Sequence, residues 1–229
     1  MRFTSKEYRD EAARLCKKQE KVLILIALIY LAINALINFS YSETYYIGDT
    51  EFSTTVTPFG FLSIFITGHI AVSFINIGKK LYEDKEVEVK DFFYGFKDYL
   101  RIFIVTLLQT IYIALWSLLF VIPGIIKSYS YSMSYFLMEN DKNLTSNEAI
   151  TLSRKLMDGN KWRLFCLHFS YFGWLILCAL TFGILSLWVM PKMQTAEYLF
   201  FRDINEEAGY HIEEEHIVTY LAEKNKNVD

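Results

Sequence analysis

Long apolar segments alternate with short charged segments along this chain of 229 residues. A helix needs about 20 mostly apolar residues to cross roughly 30 Å of hydrocarbon. Two of the apolar segments, 22–39 and 59–78, fit one crossing each. The pattern therefore predicts a transmembrane helix over each of them.

Two further apolar segments, 102–138 and 164–201, are too long for one crossing. A continuous helix over either would be about 55 Å long at 1.5 Å per residue. Each has a break near its middle, because Pro123-Gly124 interrupts the first and Thr181-Phe182-Gly183 the second. Each segment is therefore predicted to fold into a hairpin, with helices at about 102–121, 125–140, 162–181 and 184–202.

The predicted fold class is all-α, in the form of a polytopic membrane helical bundle. Six transmembrane helices form three hairpins in a single integral membrane domain over 1–229, and 203–229 is predicted to be a cytoplasmic tail. Amphipathic cytoplasmic helices are predicted between the hairpins: Thr4 and Glu7 have capping-box spacing at the start of one, and 90–100 forms another.

The distribution of lysine and arginine predicts the orientation. Residues 1–21 carry seven of them, 79–101 six and 142–163 five, whereas the loop 40–58 carries none. Short cytoplasmic loops are enriched in these residues. Both termini are therefore predicted to be cytoplasmic in a plasma-membrane protein, with the lipid bilayer as the surrounding partner.

An internal repeat is a further hypothesis. A shift of 62 residues places Arg101 on Arg163 and Asp141 on Asp203, and a shift of 123 aligns 59–63 with 182–186. The repeating unit would be a cytoplasmic helix followed by a hairpin, present three times. The alternative is chance, because few residue types dominate apolar segments.

Three ionisable side chains lie within predicted spans: Lys127, Lys192 and Glu197. Charged groups in hydrocarbon are costly and often functional. The functional hypothesis is a polar path through the membrane. The alternative is that Lys192 pairs with Glu197 or with a backbone carbonyl and so holds the helices together.

An amphipathic helix is predicted to begin at Thr145, because Thr145 and Glu148 have capping-box spacing, and Gly159 suits its C-terminal end. The functional hypothesis is a docking surface or lipid sensor that includes Glu148, Ser153, Arg154 and Gly159. The alternative is a connector that seals the cytoplasmic end of the bundle. Its small and apolar stripe consists of Ala149, Ile150, Ser153, Leu156 and Met157.

Composition and motifs narrow the function further. The chain is 53% hydrophobic, and its net charge of −3 with no dense basic face argues against a nucleic-acid partner. It has no phosphate-binding loop, no nucleophile elbow and no set of metal-ligand residues at a recognised spacing. We therefore expect no cofactor, no metal and no enzymatic activity.

Two stretches resemble a known family. Residues 122–133 read Ile-Pro-Gly-Ile-Ile-Lys-Ser-Tyr-Ser-Tyr-Ser-Met, and 147–163 contain Glu-Ala, then Ser-Arg, then Gly-Asn-Lys-Trp-Arg. They are similar to the bacterial integral membrane proteins grouped as domain of unknown function 975, common in Gram-positive bacteria. The resemblance covers 100–229 well and the first 100 residues loosely. It implies a multi-pass plasma-membrane protein but no activity, so no functional residue is transferred.

The leading functional hypothesis is a non-catalytic membrane protein. It would assist, regulate or protect through contacts with lipids or with protein partners at the cytoplasmic face. The alternative is a small transporter or channel that uses the intramembrane polar residues. An intramembrane enzyme has the least support, since no nucleophile–base pair is present.

Overall fold

A computed structural model describes residues 3–47, 50–60 and 62–209, and this part of the chain is mostly helical. The predicted tail 203–229 falls largely outside the described residues. The elements in chain order are α1 (Ser5–Lys17), α2 (Glu20–Ile37), β1 (Tyr41–Ile47), β2 (Thr50–Val56), α3 (Leu62–Tyr82), the 3₁₀ helix η1 (Val89–Phe96), α4 (Tyr99–Leu119), α5 (Val121–Tyr131), α6 (Ser134–Asn140), α7 (Ser146–Leu156), α8 (Lys161–Ser170), α9 (Phe172–Leu180) and α10 (Ser186–Glu207).

The segment between α2 and α3 is an antiparallel β-ribbon. Tyr41 pairs with Val56 at one end, and Ile47 pairs with Thr50 at the other. Tyrosine, threonine and valine favour extended backbone, which explains why this segment is not helical. The prediction of an all-α fold is therefore wrong for this ribbon, although it agrees with the remaining elements described.

The chain reverses between α4 and α5 at Phe120, three residues before the predicted break. Phe120 has extended backbone (φ −158°, ψ 145°), and α5 begins at Val121. Pro123 lies in the first turn of α5, where a missing N–H leaves no hydrogen bond unmade. The prediction that Pro123-Gly124 forms the turn is wrong for this reason.

The reversal between α9 and α10 lies where the sequence predicts it. Phe182 and Gly183 both have positive φ, at 51° and 84°. The N–H of Gly183 donates to the carbonyl of Cys178 at 2.8 Å, closing the end of α9. A left-handed backbone at a helix end is the usual role of glycine, and here it is shared with the phenylalanine before it.

Four helical segments are long and apolar enough to cross a membrane: Glu20–Ile37, Leu62–Tyr82, Tyr99–Leu119 and Lys161–Leu180, the last comprising α8 and α9. The segments predicted as the fourth and sixth spans are not among them. The helix predicted over 125–140 is divided into α5 and α6, and α10 carries too many charges over its length. The structure therefore identifies four candidate spans where the sequence predicts six.

The elements form three units, each with a short helix followed by a helical pair. The first pair is α2 with α3, the second is α4 with α5 and α6, and the third is α8 and α9 with α10. Each short helix packs on the pair of another unit: α1 on α10 and α8, η1 on α3, and α7 on α4, α5 and α6. The three units are therefore interlocked in a closed ring.

The helix α3 lies at the centre of this ring. Over half of its apolar window is buried (56%), against 22% for the windows of the other three candidate spans. Backbone approaches α3 closely at η1, since a Cβ on Gly95 would lie 2.0 Å from the carbonyl oxygen of His69. The N–H of Gly95 donates to Ser73 Oγ at 2.9 Å, which fixes η1 on α3.

The turns of the second and third pairs are apolar and exposed. Phe120 is 73% exposed, Leu118 86% and Phe182 98%. Buried side chains are concentrated at the opposite end, in α1, α6, α7 and the C-terminal halves of α3 and α10. Two apolar projections therefore extend from a well-packed base.

Candidate functional site

Two arginines at equivalent positions hold the bases of the second and third pairs. Arg101 Nη2 donates to the carbonyl oxygen of Asp141 at 2.7 Å. Arg163 Nη2 donates to Asp203 Oδ2 at 2.7 Å, and its Nη1 donates to Glu207 Oε2 at 2.8 Å. Both arginine–aspartate contacts join residues 40 apart and are related by the shift of 62. They support the internal repeat with an observation independent of sequence matching.

A second pair of equivalent contacts lies deeper in the same helical pairs. Tyr135 donates its hydroxyl to Thr106 Oγ1 at 3.0 Å in the second pair. In the third pair, His168 Nε2 lies 3.0 Å from Glu197 Oε1. Both contacts join residues 29 apart, and the shift of 62 again relates them. A neutral hydroxyl pair in one unit is thus replaced by an ionisable pair in the other.

The ionisable pair has a third member from the neighbouring unit. The hydroxyl of Tyr129 in α5 lies 3.3 Å from His168 Nδ1. If His168 carries its proton on Nε2 and donates to Glu197, then Nδ1 accepts from Tyr129. The side chains of His168 and Glu197 are 28% and 19% exposed. The group of Tyr129, His168 and Glu197, which we call the polar triad, can therefore hold or transfer a proton.

The predicted intramembrane site is not assembled as one site. Glu197 pairs with His168 rather than with Lys192. Lys127 lies with its Nζ 4.5 Å from the ring centroid of Trp116, near the turn of the second pair. Within the part of the chain that the structure describes, the Lys192 ammonium makes no hydrogen bond or ion pair, and only its carbonyl accepts, from Tyr171 at 3.3 Å. Sequence reasoning found Glu197 but missed its partners. The shift of 62 was the signal that places His168 and Glu197 opposite each other.

The predicted docking helix, α7, uses its apolar face inside the protein. Ser153 is fully buried, donates to the carbonyl of Ser130 at 2.9 Å and accepts from the N–H of Met133 at 3.1 Å. These are backbone groups left open where α5 ends and α6 begins. Glu148 forms the predicted capping box with Thr145.

The remaining residues of the predicted docking surface have different roles. Arg154 is exposed on the outer face of α7, and Gly159 has φ of +76°, the left-handed conformation expected after a helix end. Ser153 and Arg154 therefore face opposite ways, and only Arg154 of the two is accessible. The contacts match the connector alternative for the apolar stripe, all of whose residues are buried.

The helix α1 packs on the third pair much as α7 packs on the second. Its Cys16 Sγ lies 3.4 Å from Thr195 Oγ1, and Thr195 is 62 residues after Met133. Near its other end, Tyr8 donates its hydroxyl to Asp203, the aspartate held by Arg163. Burial raises the pKa of the Cys16 thiol to about 11, so it is protonated near neutral pH.

Among the described residues, no three histidine, cysteine, aspartate or glutamate side chains come together to form a metal site. The fold and the site thus define a helical protein with membrane-length apolar helices, interlocked units and one internal polar triad. The chain belongs to the family described as protein of unknown function (DUF975), whose model matches residues 1–127 and 118–208. No curated protein and no solved structure matches the chain.

Proposed function

We propose that this chain is a non-catalytic integral membrane protein that acts through its contacts with lipid, with both termini in the cytoplasm. The carrying observation is the pair of exposed apolar turns around Phe120 and Phe182 above a packed base. Such surfaces are stable only when lipid or another apolar partner covers them. From Arg163 to Phe182 a helix advances about 28 Å, close to the thickness of the hydrocarbon.

The packing of the short helices supports a scaffold rather than a machine with moving parts. The apolar faces of α1, η1 and α7 are used to lock one unit on another. What remains for partners is the charged outer face of α7, including Arg154, and the lipid-facing surface. The protonated thiol of Cys16 and the separation of Lys127, Lys192 and Glu197 favour a role without catalysis.

The orientation is tested by labelling single cysteines in intact cells. In a background where Cys16, Cys166 and Cys178 are replaced by serine, Thr44→Cys and Arg154→Cys place one thiol each on the ribbon and on α7. A membrane-impermeant maleimide should label position 44 directly and position 154 only after the cells are opened. Labelling of position 154 in intact cells would overturn the six-span arrangement and the cytoplasmic base.

The lipid role is tested with the purified full-length protein. Its unfolding temperature should rise by several degrees when phospholipid is added back to detergent micelles, because lipid covers the turns more completely than detergent does. The matched control is Arg154→Ala, whose exposed site on α7 should leave the lipid response unchanged. An unfolding temperature that does not respond to lipid would contradict the proposal.

The polar triad favours proton transport as a second candidate function. Tyr129, His168 and Glu197 form a connected chain of groups that can exchange a proton, and they join two units of the ring. Proteoliposomes carrying a pH-sensitive dye would distinguish the two functions. We expect no more proton flux than in protein-free vesicles. A flux that Glu197→Gln abolishes and Tyr135→Phe preserves would favour transport instead.

A further inference from the structure

The Lys192 ammonium occupies an apolar environment without a counter-ion among the described residues. Lys192 follows Pro191 in α10 and is half-buried. Uncompensated charge away from water is unfavourable, and ionisable groups in such segments generally serve a function. An anion from outside the described chain would therefore be favoured at this position.

Two clefts meet at Lys192. One has a volume of about 290 Å³ and lies between the α1–α2 junction and α10, with Cys16, Leu23 and Leu187 in its walls. The other has a volume of about 340 Å³ and lies between α1, α9 and α10, with Tyr171 and Trp174 in its walls. Both clefts are lined by Ala13, Trp188 and Lys192. Each is near the lower end of the roughly 300–1,000 Å³ typical of small-molecule sites.

The charges around Lys192 are positive on balance. Arg9, Lys17 and Lys192 line the two clefts, against Asp10 and Glu20. The guanidinium of Arg9 is held in place, because its Nη1 donates to the carbonyl of Ser170 at 2.6 Å. A phosphodiester near Lys192 would thus find one ammonium without a partner and one fixed guanidinium, groups that bind phosphate well.

The other walls are apolar and lead toward the exposed turn of the third pair. Trp174, Leu185 and Trp188 lie on the side of the clefts nearer to Phe182, and Trp174 is 46% exposed. Tryptophan is enriched where one end of a side chain meets lipid and the other meets polar groups. A free inorganic anion would have no use for this apolar wall, whereas an acyl chain would.

We propose that the seam between α1 and α10 binds an anionic glycerophospholipid of the cytoplasmic leaflet. Its phosphate lies against Lys192 and Arg9, and an acyl chain runs along Trp188 toward the turn at Phe182. This inference rests on the proposed lipid role and specifies the headgroup chemistry. It assigns Lys192 to ligand binding rather than to a path shared with Glu197.

The test is competitive quenching of tryptophan fluorescence in full-length protein in vesicles. Trp116 and Trp162 are replaced by phenylalanine, so that the emission comes from Trp174 and Trp188 near the clefts. Brominated phosphatidylcholine quenches these residues, and unbrominated phosphatidylglycerol competes. We expect phosphatidylglycerol to be preferred by about fivefold over unbrominated phosphatidylcholine.

The variants locate this preference. Lys192→Gln should reduce it to less than twofold, and Arg9→Gln should reduce it in part. Lys127→Gln, which removes the other intramembrane lysine near the Trp116 position, should leave it unchanged. A preference that survives Lys192→Gln would overturn the site. It would leave the lipid role standing, because that role is tested separately by the response of the unfolding temperature to added lipid.

Two other occupants are distinguished in the same assay. If millimolar inorganic phosphate or glycerol 3-phosphate removes the preference as effectively as phosphatidylglycerol competes, the site binds free anions and the lipid proposal fails. If neutralising the acidic tail residues Glu213, Glu214 and Glu215 to glutamine is needed before any preference appears, the tail occupies the seam. That result would also overturn the proposal.

Discussion

The second and third helical pairs share a framework but differ in the chemistry that fills it. Arg101 and Arg163 close the two bases at equivalent positions, yet Arg101 binds backbone carbonyls and Arg163 binds carboxylates. Eight or fewer residues further along each chain, a Tyr–Thr hydroxyl pair in one corresponds to the His168–Glu197 pair in the other. A neutral pair is therefore sufficient for this architecture, so the ionisable pair is not required by packing.

The same contrast holds for the helices that dock on these pairs. Ser153 of α7 satisfies two open backbone groups of the second pair. Cys16 of α1 makes only a weak sulfur contact with Thr195 of the third pair. Ionisable groups and the clefts around Lys192 accumulate on the more loosely fixed side. The difference indicates that the second pair mainly stabilises the fold and that the third carries the candidate function.

Neutralising the basal arginines should have the largest effect on stability. We expect Arg163→Met to cost about 3 kcal/mol, because it leaves the nearly buried Asp203 carboxylate without its cation. Arg101→Met should cost about 1–2 kcal/mol, because it leaves only neutral carbonyls unpaired. Denaturant unfolding in detergent, followed by helical circular dichroism, measures both.

A rescue separates charge from lost packing in the arginine experiment. Adding Asp203→Asn to Arg163→Met should recover part of the loss, since it removes the isolated charge. Equal losses at Arg101 and Arg163, or no rescue, would show that the two bases are held in the same way. The comparison between the pairs would then fail at its first point.

The docking contacts come next in size. Ser153→Ala should cost about 2 kcal/mol, because the fully buried N–H of Met133 and carbonyl of Ser130 both lose a partner. Cys16→Ala is the matched variant in α1, and it should cost about 1 kcal/mol or less, since a buried thiol behaves mainly as a small apolar group. A larger loss at Cys16 than at Ser153 would reverse the order of stability that we assign to the two regions.

Much of this framework can be predicted from the sequence, for definable reasons. Apolar length located the membrane-length helices, and the Thr145–Glu148 and Thr4–Glu7 spacings located the capped starts of α7 and α1. These features depend on residues close together in the chain. The turn at Phe120 was missed because a proline in the first turn of a helix resembles a helix breaker in sequence.

The candidate site was harder to predict because its contacts are long-range. Lys192 and Glu197 are five residues apart, which suggests a pair, but their side chains leave a helix in different directions. The partner of Glu197 is His168 on another helix, and the third member, Tyr129, belongs to another unit. The internal shift of 62 contained the first of these contacts; nothing in the local sequence contained the second.

Transplanting the neutral pair into the third unit tests whether the polar triad is dispensable for folding. We expect His168→Thr alone to destabilise, because the Glu197 carboxylate loses its partner. The double variant His168→Thr/Glu197→Tyr should be more stable than the sum of its single variants predicts, by about 1–2 kcal/mol. The four unfolding free energies form a double-mutant cycle that measures this coupling directly. Additive effects would mean that the two side chains do not interact.

The smallest expected effect concerns a feature that the two regions share. In α7 the Glu148 carboxylate accepts from the backbone N–H of Thr145 at 2.9 Å and from its hydroxyl at 2.7 Å, and these bonds hold the pKa of Glu148 below its usual value. A carboxylate with a lowered pKa stabilises the folded state fully above its ordinary pKa. That contribution is lost as the pH falls through the folded value.

Glu148→Gln should therefore cost about 0.3 kcal/mol at pH 7, since the site is exposed and solvent screens the charge. The difference from the wild type should shrink as the pH falls below 4.5 and vanish in stronger acid. Glu7→Gln in α1 should act in the same direction, because the Thr4 N–H and hydroxyl lower the pKa of Glu7 in the same way. Parallel acid titrations of the two variants would show that the docking helices start alike. The contrast between the regions would then lie in the contacts at Ser153 and Cys16. A response in only one helix would move part of it to the helix ends.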